Sequence, residues 1–594
     1  MEFPILYTAT VILLMSVALA TELFKPAIIV FSALLSLIIG NVISVDEAFA
    51  GFSNKGMLTV AFLFVVSASM QSSGLLDKLI SKLLGGKNKG ICFRYFRLMF
   101  PIAAFSAFLN NTPVVATMIP VIKNWTKRLN LPSSKYLIPL SYAAILGGTC
   151  TLIGTSTNLV VHGMLLDRGL NGFSFFELTK VSLPVSILGI LFIALIGHKI
   201  LPSKKEPIVK LGENTREFVV EVKVTKDYPM ANKSIEKANL RHLQGLFLFQ
   251  INRFDKIIAP VSHEDKILIG DRLFFTGLPE TIYELQKTPG LNIVKDLEFD
   301  SQNMDSDKLS TYEAVISNNS PLLGQTVRDS NFRGRYDAII LAIHRSGSRI
   351  NKKVGDIVFK QGDTLFILAK KGFDKRWYNS MDFSLVSSSL EVYSKPKWKG
   401  NIALVLLVSM VLLAAFGIVP IILAAASVAV LMIIIGIINP NNAFKSVDWG
   451  ILLIISSSFG IGRALENSGL ASIIASSIIK TLYFLGPLGI IGGIFFITSI
   501  YTELITNNAA AAIMFPIALA TANIMDYDPR PLFITLAIAA SASFATPIGY
   551  QTNLMVYSPG GYRFTDFLKI GVFMNIFVGL VVTLIVYLMF FYKA

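Results

Sequence analysis

Most of the chain alternates long apolar runs, nearly free of charge, with short polar stretches, so the repeating unit of the pattern is a whole segment rather than a residue period of 2 or 3.6. Runs long enough to cross a ~30 Å hydrocarbon core at about 1.5 Å per residue fall near 4–20, 26–44, 56–75, 139–164 and 180–200. A second set falls near 400–416, 419–438, 448–463, 531–556 and 568–592. Between the third and fourth members of each set lies a further apolar segment, 98–122 and 486–520, broken in its middle by polar residues. Each half therefore predicts five membrane helices plus one interrupted element, read as a re-entrant hairpin. The first run follows an acidic start without a basic n-region or a small-residue cleavage pattern, so 1–20 is expected to be a membrane helix and not a leader.

The two halves share residues at a fixed spacing. Ala48-Phe49 and Gly74-Leu75 recur as Ala443-Phe444 and Gly469-Leu470, Asn111 and Pro120 as Asn507 and Pro516, and Asn158-Leu159 as Asn553-Leu554, always 395 or 396 positions on. A register that steady indicates an internal duplication. Five spans is an odd number, so the second half is expected upside down relative to the first. Charge agrees. Loops of the first half carry Lys78, Lys82, Lys87, Lys89, Arg94 and Arg97, then Lys123, Lys127, Arg128 and Lys135, whereas the corresponding loops of the second half carry Lys480 alone, then Asp526, Asp528 and Arg530. Basic loops face the cytoplasm, which places the first hairpin's entry inside, the second's outside, both termini outside, and the segment 201–398 in the cytoplasm.

Composition fits this reading. The 594 residues are 53% hydrophobic and 15% charged, with a mean hydropathy of +0.61, values that leave too little charge to cover a soluble surface. The net charge of +15 belongs to cytoplasmic loops, and nucleic acid is not expected as a partner; the lipid bilayer is. Cys92 and Cys150 are the only cysteines and are expected as free thiols.

The organisation expected is a first membrane repeat over 1–200, a charged insert over 201–398 with short alternating strands and turn signals, and a second repeat over 399–594. The insert contains two similar units, 217–288 and 310–379. The first runs through Pro229, Lys233-Ser234, Gly245-Leu246-Phe247-Leu248, Ile251-Asn252-Arg253 and Gly270-Asp271-Arg272-Leu273-Phe274. The second runs through Pro321, Gly324-Gln325-Thr326, Ala338-Ile339-Ile340-Leu341, Ile343-His344-Arg345 and Gly362-Asp363-Thr364-Leu365-Phe366. Both units resemble the TrkA C-terminal (RCK_C) domain, with its turn, its Ile-x-Arg strand and its closing Gly-Asp hairpin. That resemblance implies an α+β module that senses a small cytoplasmic ligand, such as a nucleotide, or that dimerises. No G-x-G-x-x-G follows a strand in 201–399, so a dinucleotide-binding partner domain is not expected.

Interrupted membrane helices leave backbone groups that protein, water or an ion must satisfy, so interruptions mark candidate sites. Four occur, in two matched pairs. The hairpin tips read Leu109-Asn110-Asn111-Thr112-Pro113 and Ile505-Thr506-Asn507-Asn508-Ala509; the breaks in the fourth spans read Gly147-Gly148-Thr149 with Gly154-Thr155-Ser156-Thr157-Asn158, and Ser543-Phe544-Ala545-Thr546-Pro547 with Gly549-Tyr550-Gln551-Thr552-Asn553. Their chemistry is amide and hydroxyl with almost no formal charge. Carbonyl and hydroxyl oxygens suit Na⁺, while N–H and O–H donors at helix N-termini suit an oxyanion. Asn110, Asn111, Thr112, Thr506, Asn507, Asn508, Thr155, Ser156 and Thr546 are the candidate substrate contacts.

Asn110-Asn111-Thr112 and Thr506-Asn507-Asn508, with their spacing to Pro120 and Pro516, resemble the Ser-Asn-Thr hairpin tips of the divalent anion/sodium symporter family, within the ion-transporter superfamily. The resemblance implies that both tips contact substrate and that each forms a Na⁺ site with the neighbouring break: one among Asn111, Gly154 and Asn158, the other among Asn507, Ala545 and Asn553. It also implies elevator-like alternating access and a homodimer. The replacement of Gly-Thr-Pro-Pro-Asn by Gly-Thr-Ser-Thr-Asn at the first break, together with the paired insert, resembles the sulfate-type branch.

The expected function is thus sodium-coupled symport of a small inorganic or organic dianion, sulfate first, in a plasma (inner) membrane. A di- or tricarboxylate substrate, proton coupling, and a ligand-gated channel stand as alternatives; no constellation for enzyme catalysis is apparent. Glu503, close to the second tip, either takes a proton or cation or pairs within its hairpin. Arg463 and Glu466 are expected as a local ion pair near a membrane face, His162 and His198 as interfacial, and Cys150 as a small packing residue.

Overall fold

The computed structural model describes residues 3–21, 24–73, 90–129, 131–204 and 397–592, with most of 219–277, 288–293 and 309–388. Gly74-Leu75, the lysines Lys78, Lys82, Lys87 and Lys89, and Gly245 in the first insert unit lie outside the described residues. The chain forms two compact units, one from 1–203, 393–556 and 563–594, the other from 204–392 with 557–562.

The first unit is helical. Its first half runs α1 (Phe3–Ala20), α2 (Pro26–Ile39), α3 (Val45–Phe49), α4 (Lys55–Ser73), α5 (Ile91–Ser106), α6 (Asn111–Arg128), α7 (Ser134–Gly148), α8 (Ser156–Asp167) and α9 (Thr179–Phe192), the last continuing through a π turn to Ile200. Its second half runs α10 (Lys397–Ala415), α11 (Ile421–Ile434), α12 (Pro440–Ser446), α13 (Trp449–Asn467), α14 (Leu470–Leu482), α15 (Gly486–Leu504), α16 (Asn507–Met525), α17 (Arg530–Ser541), α18 (Gln551–Tyr557) and α19 (Phe564–Phe590).

Local chemistry sets many of these boundaries. Ser44 and Glu47 form a capping box at α3, and Asp448 accepts from the Ile451 N–H at the start of α13, each satisfying orphan donors of a first turn. Pro26 and Pro440 open α2 and α12, where the missing N–H carries no penalty.

Among the described residues, seven helices or helix runs are long and apolar enough to cross a membrane, eight if α12 and α13 count as one bent span. Of the ten spans expected from the apolar runs, the two fourth spans are interrupted where breaks were expected, and others are short. The runs 139–164 and 531–556 are each split into two short helices, and α2 and α11 have only 14 residues each. An apolar run records what solvent its residues prefer, not whether the backbone stays helical throughout. The helix α14 follows α13 after a left-handed Gly469 and is a further element beyond those expected.

Burial separates the layers. Leu13 and Leu14 of α1, Val405 of α10, and Leu580 and Leu584 of α19 are exposed, as lipid-facing positions require. Every residue from Tyr136 to Gly148 in α7 and from Pro531 to Ser541 in α17 is buried. These two helices, at corresponding places in the two halves, lie at the centre, and each runs directly into a break.

The second unit holds two antiparallel five-stranded sheets. The first comprises β1 (Val219–Val224), β2 (Leu246–Arg253), β3 (Lys256–Ile258), β4 (Arg272–Gly277) and β5 (Leu291–Ile293), in the order β3-β2-β4-β1-β5. The second comprises β6 (Leu309–Ile316), β7 (Ala338–Arg345), β8 (Ser348–Arg349), β9 (Thr364–Lys370) and β10 (Phe383–Ser388), in the order β10-β6-β9-β7-β8. Reversed, the second order matches the first strand for strand. The agreement extends to detail. The β2–β4 pairing shifts register between Leu248 and Gln250, and the β7–β9 pairing between Ile340 and Ala342.

A buried aspartate closes each sheet at the Gly-Asp hairpin. Asp271 accepts from Arg253 at 2.8–2.9 Å and from the Leu268 N–H at 2.7 Å. Asp363 accepts from Arg345 at 2.7 Å and from the Lys360 N–H at 2.8 Å. In the second sheet Tyr336 donates to Asp382 at 2.7 Å, and burial together with that carboxylate raises the phenol above its usual range.

Removing one member of a buried pair strands the other. Asp363→Ala is expected to destabilise the second sheet by about 3 kcal/mol, read as faster amide hydrogen exchange in β7 and β9 of the intact protein, with β1–β5 unaffected.

Candidate functional site

Each break needs something to hold its free carbonyls, and in both halves an asparagine does so. Asn158 Nδ2 donates to Thr151 O at 2.8 Å and Gly148 O at 3.4 Å. Asn553 Nδ2 donates to Thr546 O and Ser543 O, both at 3.0 Å. The acceptors stand seven and ten residues back in both cases, so the two breaks are built on one plan. Glycine makes the first break compact. A Cβ on Gly147 would lie 2.1 Å from Ala103 O, one on Gly148 2.5 Å from the Asn111 amide, and one on Gly154 2.5 Å from Gly148 O.

The tips repeat in the same way. Asn111 and Asn507 each begin a helix, α6 and α16, and each meets a hydroxyl five residues earlier: Ser106 Oγ lies 2.5 Å from the Asn111 amide, and Thr502 Oγ1 donates to Asn507 Oδ1 at 3.0 Å. Tip and break of each half are also joined through the main chain. Thr151 Oγ1 donates to Ala107 O, and Thr546 Oγ1 donates to Glu503 O at 3.2 Å.

Between the halves the contacts are reciprocal. Thr112 on the first tip donates to Gln551 at the second break, 3.1 Å; Ser156 at the first break donates to Asn508 on the second tip, also 3.1 Å. Thr112 and Asn508 correspond across the halves, as do Ser156 and Gln551. Another corresponding pair, Thr155 and Tyr550, touch each other, with their hydroxyls 3.3 Å apart. Tyr550 also hydrogen-bonds Asn111 at 2.6 Å, so one phenol joins both breaks to the first tip. Tyr142 and Ser141 of α7 extend the link, donating to Phe544 O at 2.6 Å and Asn553 Oδ1 at 2.7 Å.

Oxygen atoms of Ser106, Ala144, Gly154 and Tyr550 surround the Asn111 amide. With its nitrogen turned inward, the Asn111 amide donates to Ala144 O at 3.1 Å and Gly154 O at 3.3 Å, and its oxygen accepts from Tyr550. Close by in the fold, the buried Asn158 Oδ1 has no hydrogen-bond partner among the described residues. In the second half the corresponding Asn553 Oδ1 accepts from Ser141. Position 536, which corresponds to Ser141, is Leu536 and offers no such donor to Asn158.

The residues expected at the site are thus mostly brought together: Asn111, Thr112, Asn507, Asn508, Thr155, Ser156, Thr546, Gly154, Ala545, Asn158 and Asn553 all lie in the joined tips and breaks. Asn110 is the N-cap position of α6 and makes no side-chain cap bond. Thr506 holds the same position at α16, with its hydroxyl buried and without a partner.

Three expectations resolve. Arg463 and Glu466 do not form a local pair among the described contacts. Arg463 pairs with Asp167 at 2.9 Å and Glu466 with Arg168 at 2.8 Å, both at the end of α8, because one helical turn aims their long side chains at the neighbouring helix and not at each other. Glu503 is held within its half: its carboxylate accepts from the Ala545 and Thr546 N–H groups and from Asn575 Nδ2, each at 2.8 Å. Cys150 is buried, with its sulfur near Leu146 O and Ser186, as a packing residue.

Sequence reasoning missed Ser106, Thr502, Ser141, Asn575 and the role of Tyr550. Ser106 and Thr502 carried a signal, since each is a hydroxyl five residues before the tip asparagine in both halves. Ser141, Tyr550 and Asn575 have no counterpart of like chemistry, and the repeat could not reveal them.

Comparison with known proteins agrees with a transport architecture. A family model described as citrate transporter, CitMHS, matches residues 11–539 and 511–594. The chain is 34% identical over 553 residues to a putative sulfur deprivation response regulator of Chlamydomonas reinhardtii, covering 91% of this chain and 94% of that one. It is 28% identical to probable sodium/sulfate cotransporter 3 of the same organism, covering 90% and 82%, and 26% identical to the uncharacterized transporter YfbS of Escherichia coli (strain K12), covering 96% and 97%. With a family match across nearly its whole length and apolar helices to cross the bilayer, the chain belongs to the CitMHS citrate transporter family and is a multi-pass membrane transporter, not an enzyme.

Proposed function

We propose that the chain is a sodium-coupled symporter of a small divalent oxyanion, with sulfate as its substrate, working by elevator-type alternating access. The observation that carries this reading is the reciprocal joining of both tips to both breaks, Thr112 with Gln551 and Asn508 with Ser156. Reciprocal contacts of this kind are what a two-fold relation between inverted repeats produces, with each interrupted element a re-entrant hairpin entering from its own side.

In this reading the anion is held by N–H and O–H donors at the starts of α6, α8 and α16, where helix dipoles favour negative charge. Asn110, Asn111, Thr112, Thr506, Asn507, Asn508, Thr155, Ser156 and Thr546 supply those contacts. One sodium ion lies among Asn111, Gly154 and Asn158, and a second among Asn507, Ala545 and Asn553. The Asn158 Oδ1, buried and without a hydrogen-bond partner among the described residues, supports the first. Two cations offset a dianion, so the loaded carrier crosses with little net charge. Relatives named sodium/sulfate cotransporters at 26–28% identity support both the anion and the coupling ion. The segment 201–398 is proposed as a cytoplasmic pair of RCK_C-like units that bind a small ligand and regulate transport, supported by two sheets of one strand order; both termini lie outside, and the carrier is a homodimer.

The description of the matched family, citrate transporter, favours one second reading, a di- or tricarboxylate substrate at the same site.

Uptake of radiolabelled sulfate into proteoliposomes, with and without an inward Na⁺ gradient, tests the proposal. Uptake is expected to need sodium, to fall at least tenfold in Asn111→Ala and Asn507→Ala, and to resist excess citrate or succinate. Uptake blocked by either acid moves the substrate to the carboxylates, and sulfate flux indifferent to sodium overturns the coupling. A second prediction follows from the packing at the first break. Gly148→Ala places a Cβ 2.5 Å from the Asn111 amide and is expected to displace that amide, raising the sodium concentration for half-maximal uptake at a stability cost of about 1–3 kcal/mol, read by thermal unfolding.

A further inference from the structure

The two halves place the same main chain around tip and break but not the same charge. Thr151 and Thr546 donate to the carbonyls of Ala107 and Glu503 respectively, which fixes 107 and 503 as corresponding positions, 396 residues apart. In the first half that position ends in a methyl group. In the second it carries a carboxylate whose Oε1 accepts from the Ala545 N–H and Asn575 Nδ2, and whose Oε2 accepts from the Thr546 N–H, all at 2.8 Å. Asn575, on α19, also accepts from the Phe544 N–H at 3.3 Å. A single amide thus clamps the carboxylate and the break together.

The carboxylate is not needed to build a break. Asn553 already ties two carbonyls of the second break, and the first break has the same construction with Ala107 in place of an acid. A charge inside a membrane unit is costly and is placed there for a use. All three donors around Glu503 point at it, so it serves as an acceptor and a source of negative charge, hydrogen-bonded to the Ala545 N–H and four residues before Asn507. The first half shows the complementary deficit. Asn158 Oδ1 is buried without a partner, while Asn553 Oδ1 is occupied by Ser141.

We infer that Glu503, clamped by Asn575, is a positioning residue that makes the two cation sites unequal, giving the site of Asn507, Ala545 and Asn553 a fixed negative charge that the site of Asn111, Gly154 and Asn158 lacks. The inference rests on the sodium-coupled reading above and adds an order to it. The cation of the second half binds before the anion, drawn by Glu503; the cation of the first half, facing only neutral oxygens, binds with the anion and depends on its charge. An acid beside one site and none beside the other also fits two ions held with different affinity, not a pair taken up together.

The test is a sodium titration of sulfate uptake by the full-length protein in proteoliposomes, with equilibrium binding of ²²Na⁺ in the absence of sulfate. Wild type is expected to bind sodium without sulfate. Glu503→Gln is expected to lose that binding and to raise the sodium concentration for half-maximal uptake roughly tenfold, as removal of a nearby unit charge requires, with the half-saturating sulfate concentration at saturating sodium unchanged. Glu503→Asp, which keeps the charge, is expected to shift it less than threefold. Wild-type sodium dependence in Glu503→Gln, or equal loss of maximal rate in both variants with no shift in sodium dependence, overturns the inference and leaves Glu503 as a strut. Should Glu503→Gln not be recovered folded by size-exclusion chromatography, Asn575→Ala decides. It frees the carboxylate without removing its charge; a threefold or larger rise in half-saturating sodium supports the inference, and a change in maximal rate alone overturns it. Wild-type uptake that ignores sodium removes the coupling reading and the inference together, a result distinct from a sodium-dependent wild type whose variants titrate unchanged.

Discussion

A helix that stops inside a membrane unit leaves carbonyl and amide groups that water cannot reach, and much of this transporter follows from how that debt is met. One asparagine per half reaches back seven and ten residues and holds two carbonyls of the broken strand of chain. The break must then pass close to its own helix and to the facing tip, which is why Gly147, Gly148 and Gly154 stand where any side chain would meet a backbone atom or the Asn111 amide. Tip, break and central helix are fixed together by the same few hydrogen bonds, so a change at any one of them is felt at the others.

Once each half has a tip and a break, the remaining polar groups are satisfied across the halves. Thr112 meets Gln551, Ser156 meets Asn508, and Thr155 meets Tyr550. Neither half completes its own hydrogen bonding there, and the bonds across, with the Tyr142–Phe544 ring contact, hold the two together. The correspondence is imperfect where it matters most. Ser141, Tyr142, Tyr550, Glu503 and Asn575 are each matched by a residue of different chemistry in the other half, and all five converge on the second break. The two halves thus share one hydrogen-bonding plan at tip and break and differ in the side chains around it.

Much of this was legible in the sequence, for physical reasons that differ by element. Apolar runs located the membrane helices because burial in lipid selects side chains directly, and the constant offset of 395 or 396 paired Asn111 with Asn507 and Asn158 with Asn553 before any geometry was known. That 139–164 and 531–556 are two helices each was legible in their small and polar interruptions, Gly154-Thr155-Ser156-Thr157-Asn158 and Gly549-Tyr550-Gln551-Thr552-Asn553, because a broken backbone needs side chains that can satisfy it. The site residues whose counterparts in the other half differ in chemistry, Tyr550, Ser141 and Asn575, were hidden because their roles depend on contacts 31 to 439 positions away. Arg463 and Glu466 misled for a related reason: a spacing of three on one helix permits a pair but does not compel one when Asp167 and Arg168 lie on the neighbouring helix. In the insert, the Ile-x-Arg strand and Gly-Asp hairpin were visible as motifs, while the reason for their pairing, an arginine bound to a buried aspartate 18 positions on, is a tertiary fact.

Charge is distributed to suit a protein that must move. The ion pairs of Arg463 with Asp167, Glu466 with Arg168, and Arg530 with Glu177 join helix ends and loops, while the tips and breaks themselves are almost wholly neutral. A lysine or arginine at the tips would hold an anion firmly, but its desolvation would have to be repaid in every conformation in which the anion is absent. Amides avoid that cost, because they donate from one end and accept from the other and can turn over as their neighbours change. Asn111 illustrates the property: its nitrogen donates to the Ala144 and Gly154 carbonyls while its oxygen accepts from Tyr550. A neutral amide at the centre, with the Glu503 carboxylate clamped by the Ala545 and Thr546 N–H groups and by Asn575, leaves the joined tips and breaks without an unpaired charge among the described residues.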